Sequence, residues 1–235
     1  MAARRRRARR SSGRSRPARR RRHGVEDQRY ESRCSSIANV SGTETHPAGV
    51  SSFRAVARSE ITYRRLVAAD LARIGEIDRT ERIETLYIQH GTRLEERAGD
   101  WSAPAWFSDG EGEHSVAHQR AECERHLAAG GIALGAFADR LVGIGIVRPH
   151  IRPGIAQCAF LHVSNEYRAS GIGGYLSDEL ERLAREQGDT AMVVSATPSL
   201  NTVRFYLGRG FEPMSEPLPE LYELEPDDVH MQKRL

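Results

Sequence analysis

Three glycines follow an arginine closely in Leu161-His162-Val163-Ser164-Asn165-Glu166-Tyr167-Arg168-Ala169-Ser170-Gly171-Ile172-Gly173-Gly174. An apolar stretch runs into this loop and a leucine-striped segment leaves it, so a strand hands over to the start of a helix here. The first turn of a helix carries backbone N–H groups without partners and a partial positive charge, which together bind phosphate. Glycines at 171, 173 and 174 let the backbone approach that anion with no side chain intervening.

Other reactive residue types stand apart from this loop. Tyr206 lies in Asn201-Thr202-Val203-Arg204-Phe205-Tyr206-Leu207, a short helical stretch that stops before Gly210-Phe211. His114, His118 and Glu122 stand at i, i+4 and i+8, a metal-ligand spacing. A fourth ligand is not apparent, so a solvated helix face with no metal is the favoured reading. In the mixed charge run Asp78-Arg79-Thr80-Glu81-Arg82-Ile83-Glu84, Asp78 or Glu81 could hold a cationic amine; a plain surface run is the favoured alternative. Trp101, Trp106 and Phe107 either wall a pocket or close the core. Cys158 reads as a small buried hydrophobe.

These residues need elements to position them. Ile61 to Leu66 alternates as a strand, and Asp70 then opens a helix with Leu71, Ile74 and Ile77 on one face. Residues around Leu86-Tyr87-Ile88 and Arg93-Leu94 flank His90-Gly91 as a hairpin. Residues 98 to 113 read as loop, and Ser115 caps a helix that ends at Gly130-Gly131. Ile132 to Phe137 and Leu141 to Val147 read as strands, Pro149 and Pro153 bracket a loop, and Ile155 to Val163 is a fourth strand. The helix striped by Ile172, Leu176, Leu180 and Leu183 stops at Gly188. Ala191 to Val194 and Val229 to Gln232 supply further strands. Strands and helices in this order give a mixed α/β sheet with helices on both faces.

The charge is divided unevenly along the 235 residues. Residues 1–58 hold 16 arginines and 4 acidic residues, a net of +12, whereas residues 59–235 carry a net of −9. The leader, with Arg4–Arg7 and Arg19–Arg22, cannot bury enough apolar surface to order itself, so 1–58 is read as a disordered Arg-rich leader and linker. No aromatic interleaves the arginines of residues 1–22, which speaks against nucleic acid as a partner, as does the acidic remainder. Cys34, Cys123 and Cys158 form neither a disulfide framework nor a metal knuckle, which fits a cytoplasmic protein. No run is long and apolar enough to suggest a membrane partner.

The loop Arg168-x-x-Gly171-x-Gly173 resembles the coenzyme A-binding motif of the GNAT N-acetyltransferases. The stretch that places Tyr206 four residues before Gly210-Phe211 resembles a second motif of that family, at the right distance. The resemblance covers about residues 59–235, most convincingly 155–211. It implies the GNAT fold, a mixed sheet of about seven strands splayed between the fourth and fifth, with helices on both faces. It also implies acetyl-CoA as acyl donor, its pantetheine arm on the backbone of Leu161, His162 and Val163. The diphosphate would sit on N–H groups of Arg168, Ala169, Ser170, Gly171, Ile172, Gly173 and Gly174. A strand N–H near His162–Val163 would polarise the thioester carbonyl, and Tyr206 would protonate the departing thiolate.

Asn201 either binds the coenzyme or serves the helix start. The position where some relatives carry a Glu or His base is Gln157, which cannot take a proton. Strict alternation puts Ala159, Leu161 and Val163 on its face and His162 on the other, so His162 reads as a core histidine. A water chain, His150, an acid from the first helices or bulk solvent remain as routes for the proton. The reaction expected is direct attack by an amine in a ternary complex. The acceptor expected is a small-molecule amine, with a protein lysine or N-terminus, or a non-catalytic acyl-CoA-binding module, as alternatives. Domains of this family often pair, which leaves a homodimer open.

Overall fold

The computed structural model describes residues 60–110 and 112–235; the leader expected to be disordered lies outside them. In chain order the elements are β1 (Thr62–Leu66), a 3-10 helix (Ala68–Glu76), β2 (Glu81–His90), β3 (Arg93–Ala103), α1 (Val116–Ala128), β4 (Ile132–Phe137), β5 (Leu141–Arg152) and β6 (Ile155–Val163). There follow a 3-10 turn (Asn165–Tyr167), α2 (Ile172–Gln187), β7 (Ala191–Ala196), α3 (Leu200–Gly208), β8 (Glu212–Pro213), α4 (Pro219–Tyr222) and β9 (Val229–Arg234). Seven strands form one mixed sheet in the order β1-β4-β5-β6-β7-β9-β8, and β2 and β3 form a separate hairpin.

Apolar periodicity decides which helix covers which face. Ile172, Leu176, Leu180 and Leu183 of α2 are buried with Val203 and Tyr206 of α3 against one face. On the other face Leu71, Ile74 and Ile77, from the 3-10 helix and the residue that ends it, pack with Cys123 of α1, Ile144 and Ile146. Ser115 caps α1, its Oγ accepting the His118 N–H at 3.0 Å. Gly188, in the left-handed region at φ 93°, ends α2.

Three expectations are corrected. The first helix begins at Ala68, with Asp70 inside it and its carboxylate accepting the Val67 N–H at 2.9 Å. Residues 98–103 continue β3 instead of forming a loop, because Ala98 to Ala103 pair with Glu81 to Thr85. Glu81 to Glu84, the end of the mixed charge run, are therefore strand residues. β5 runs through Pro149 to Arg152, its irregular register there leaving room for the proline. The two short elements β8 and α4 carry too few residues to show a period. Among the described residues no helix is long and apolar enough to cross a membrane.

Glycines in β5 let α2 lie close on the sheet. A Cβ on Gly143 would meet Ile172 Cγ2 at 3.1 Å and Leu176 Cδ1 at 3.2 Å, and one on Gly145 would meet Leu180 Cδ1 at 3.1 Å. Gly143→Val should therefore lift the first turn of α2 and destabilise the fold by about 1–3 kcal/mol. A urea denaturation midpoint equal to that of the native chain would show that the helix does not rest there.

Candidate active site

β6 and β7 are parallel but pair over only three residues, Ile155↔Ala191, Ala156↔Met192 and Gln157↔Val193. Beyond this ladder β6 continues to Val163 and β7 to Ala196, so the sheet opens into a split. Along the split, β6 backbone groups that would have bonded β7 face a gap instead. A β-bulge sits just past the last pair. Ile146 pairs Phe160 and Val147 pairs Cys158, leaving Ala159 as the extra residue.

That bulge overturns the expected alternation. Cys158 packs with the α2 core, and Leu161 and Val163 lie on the same side, opposite Gly145 and Gly143. Phe160 and His162, opposite Ile146 and Ile144, lie on the other face, where the 3-10 helix and α1 pack. Gln157, adjacent to Cys158 and opposite in direction, shares that face. His162 and Gln157 are thus on one side of the sheet, contrary to strict parity.

The glycine loop closes the wide end of the split. Ala169 and Gly171 have φ of 59° and 93°, turning the chain into α2. The first helical bond is Tyr175 N–H to Gly171 O at 2.9 Å, so Ile172, Gly173 and Gly174 keep free N–H groups, and no side chain caps them. A Cβ at Gly173 would point between Phe205 and Val163, 3.5 and 3.6 Å away. Arg209, at the end of α3, reaches the same turn, with Nη1 3.3 Å from a Cβ position on Gly174, and it also binds Asp178. This helix start, cationic and amide-rich, suits a diphosphate.

Tyr206 stands at the narrow end. It is buried between Phe205 and Phe211, and its hydroxyl lies 3.7 Å from Cys158 Sγ. Burial, then Cys158 and Asp228, push the phenol well above its ordinary pKa, while Arg209 opposes weakly, so it stays protonated. Burial likewise pushes the Cys158 thiol up to about 11. The phenol meets β6 four residues before His162, about 13 Å of strand.

Arg168 points its side chain away from the anion site, toward the segment before β2. Its Nη1 pairs with Glu81 Oε2 at 3.1 Å and its Nη2 donates to Arg79 O at 3.1 Å. The other Glu81 oxygen accepts from Asn201 Nδ2 at 2.9 Å. Glu81, its side chain 13% exposed, thus ties the glycine loop to the start of α3 across the mouth of the split. A cleft of about 160 Å³ runs beside it between Glu81–Thr85 and Ser199–Asn201. Further stitches hold β2 in place: Asn165 N to Asp78 O at 2.8 Å, Tyr87 N to Pro198 O at 2.8 Å, and Gln89 to both Met214 O and His230. The Asp78 carboxylate is engaged in its own turn, accepting Thr80 N–H at 2.9 Å. Ser199 caps α3, so Asn201 is free for the Glu81 bond.

The face opposite α2 gathers residues that the sequence left scattered. His162 lies against Phe160 and Trp106, ring centroids 4.6 and 5.2 Å away. Arg79 Nη1 approaches His114 Nδ1 at 3.2 Å, whereas His118 faces Glu122, so the three metal-spaced residues do not converge. His150 pairs with the buried Asp189 at 2.9 Å near the β5–β6 turn, away from the glycine loop. Burial, with Arg79 and Arg168 nearby, pushes His162 down to about 3. An unfolded histidine titrates near 6.5, so lowering pH from about 6.5 to 3 should progressively favour unfolding through this ring. NMR titration should show the His162 ring neutral at pH 5; a midpoint near 6.5 would refute this environment.

Residues 95–211 match the profile of the Acetyltransferase (GNAT) family. No curated protein matches the chain. Among solved structures, a nourseothricin acetyltransferase is 18% identical over 74% of this chain and 98% of its own, with a TM-score of 0.56. A Bacillus anthracis str. Ames protein assigned as a streptothricin acetyltransferase, solved with acetyl coenzyme A, is 16% identical over 74% of this chain and 98% of its own, with a TM-score of 0.52. The profile spans the split, the glycine loop and the Tyr206 helix, and the fold agrees; the chain belongs to the GNAT family and is an acyltransferase enzyme.

Proposed function

We propose that the protein transfers the acetyl group of acetyl-CoA to the primary amine of a small molecule, by direct attack within a ternary complex. The observation that carries this reading is the split itself, with free amides of α2 at one end and a protonated phenol at the other. The coenzyme diphosphate rests on N–H groups from Ala169 to Gly174. The pantetheine arm runs along Leu161 to Val163, and the thioester lies near Cys158. Amides of β6 at the bulge polarise its carbonyl.

The acceptor arrives from the face opposite α2 and loses a proton before attack. Its nitrogen bonds the carbonyl carbon, and collapse of the tetrahedral adduct breaks the C–S bond. The acylated nitrogen sheds one proton to solvent, and Tyr206 gives its proton to the departing sulfur and recovers one from solvent. Gln157 offers no base, and the neutral His162 has too low a pKa to deprotonate an ammonium effectively. The β2 hairpin, stitched to both sides of the split, favours a small acceptor over a folded protein.

Titration with acetyl-CoA should raise the melting temperature and release heat; neither response would overturn the reading. Tyr206→Phe should lower kcat about 100-fold with coenzyme affinity little changed, whereas full turnover would remove the phenol from the mechanism. Because the phenol titrates above its ordinary range, kcat should rise with pH as the amine deprotonates and show no falling limb below about pH 10. Glu81→Gln should weaken acetyl-CoA binding about tenfold by loosening the Arg168 loop, with kcat nearly retained. Unaltered binding in isothermal titration would make Glu81 a bystander.

A further inference from the structure

Arg79 is half-buried between the end of the 3-10 helix and β2. Among the described residues no carboxylate lies within ion-pair reach of it, and its side-chain contact is the ring nitrogen of His114. Glu81 bears on it only from a distance, with both oxygens committed to Arg168 and Asn201. Its surroundings add further positive or neutral groups: Arg168, His114 and His162. Burial and the charge of Arg168 accordingly push this guanidinium below the ordinary arginine range. A partly desolvated cation with no counter-ion is unfavourable, and proteins seldom keep one without a ligand to meet it.

A second observation points the same way. Buried polar atoms are nearly always hydrogen-bonded, and an orphan costs about 1–3 kcal/mol. Three buried side-chain atoms without partners lie on this side of the sheet: Trp106 Nε1, Arg148 Nε and Gln157 Oε1. Trp106 and Gln157 are each only 7% exposed. Their polarity is ordered along β6. Gln157, an acceptor, is next to Cys158, where the phenol and the proposed thioester meet. Trp106, a donor, packs on Phe160 and His162, farther toward Arg79.

We propose that the acceptor is an amino carboxylate, whose amine is received beside Gln157 Oε1 and whose carboxylate is received by Arg79 and the indole N–H of Trp106. This inference rests on the acetyl-transfer reading and names its substrate class. Gln157 lies three residues before Phe160 and five before His162, the bulge taking up one of them, so the amine and carboxylate stand about 7–13 Å apart. An ω-amino acid with an extended chain fits that span. The net −9 of residues 59–235 suggests a cationic acceptor; the local cation at Arg79 outweighs this, because charge close to the ligand and shielded from water acts more strongly than dispersed surface charge.

The test uses the full chain with acetyl-CoA and three acceptors of equal length: 6-aminohexanoate, hexylamine and 1,6-diaminohexane. The expected kcat/KM for 6-aminohexanoate exceeds that for either other amine by about tenfold or more. Arg79→Gln should reduce that ratio to about twofold or less, Arg79→Lys should keep part of it, and Trp106→Phe should lower it several-fold. Equal or better turnover of hexylamine or the diamine, or a ratio that survives Arg79→Gln, overturns the proposal. A melting shift with acetyl-CoA checks that each variant folds. Calorimetric titration of 6-aminohexanoate into the coenzyme A complex reads the site without chemistry. Binding that is lost in Arg79→Gln supports the carboxylate site even where turnover of every amine fails, a result that would sink the transfer reading alone. No binding to the native chain overturns the site.

Discussion

The architecture turns on a parallel ladder that stops after three pairs. Backbone N–H and C=O groups inside a protein must find partners, and a sheet normally supplies them from strand to strand. Here β6 leaves β7 after Gln157 and exposes a run of such groups to a gap. An extended ligand with amide groups can complete that edge as an added strand would. The helix that joins the two strands brings its free N–H groups to the mouth of the same gap. The α3 phenol fills the other end. One interruption in pairing thus lines up free helix amides, a gap in the sheet and a buried phenol.

The separation holds because other parts of the chain brace it. Gly143 and Gly145 allow α2 to sit low on β5, which sets how deep its free amides lie. Glu81 joins the loop before α2 to the start of α3, and Gln89 joins β2 to the far strands. The hairpin expected around His90-Gly91 is longer than its sequence signal, and it crosses the opening instead of leaving it bare. Since the hydrogen bonds at Glu81 involve a carboxylate and a guanidinium in partial burial, they resist water better than a surface pair would.

Much of this was legible in the residues. The leucine stripe of α2, the glycines at its start and the Tyr206–Gly210–Phe211 spacing are local patterns, and local patterns survive folding. The side of the sheet on which His162 projects was not legible. A bulge needs one extra residue, and Ala159 carries no signature that marks it as the extra one. The partner of Glu81 was hidden for a similar reason: residues 81, 168 and 201 meet only through the tertiary fold. Arg79 stood in plain view within a mixed charge run, and only the commitment of Glu81 elsewhere reveals that it lacks a counter-ion. The short elements β8 and α4 left no periodic trace.

The thiol beside the phenol has a chemical consequence. In the proposed reaction each turnover releases free coenzyme within reach of Cys158, where oxidation would ordinarily invite a mixed disulfide. Exchange needs a thiolate, and a group titrating at about 11 is deprotonated in only about one molecule in ten thousand at neutral pH. A cysteine kept so inert can line a thiol-producing pocket without being trapped by its own product.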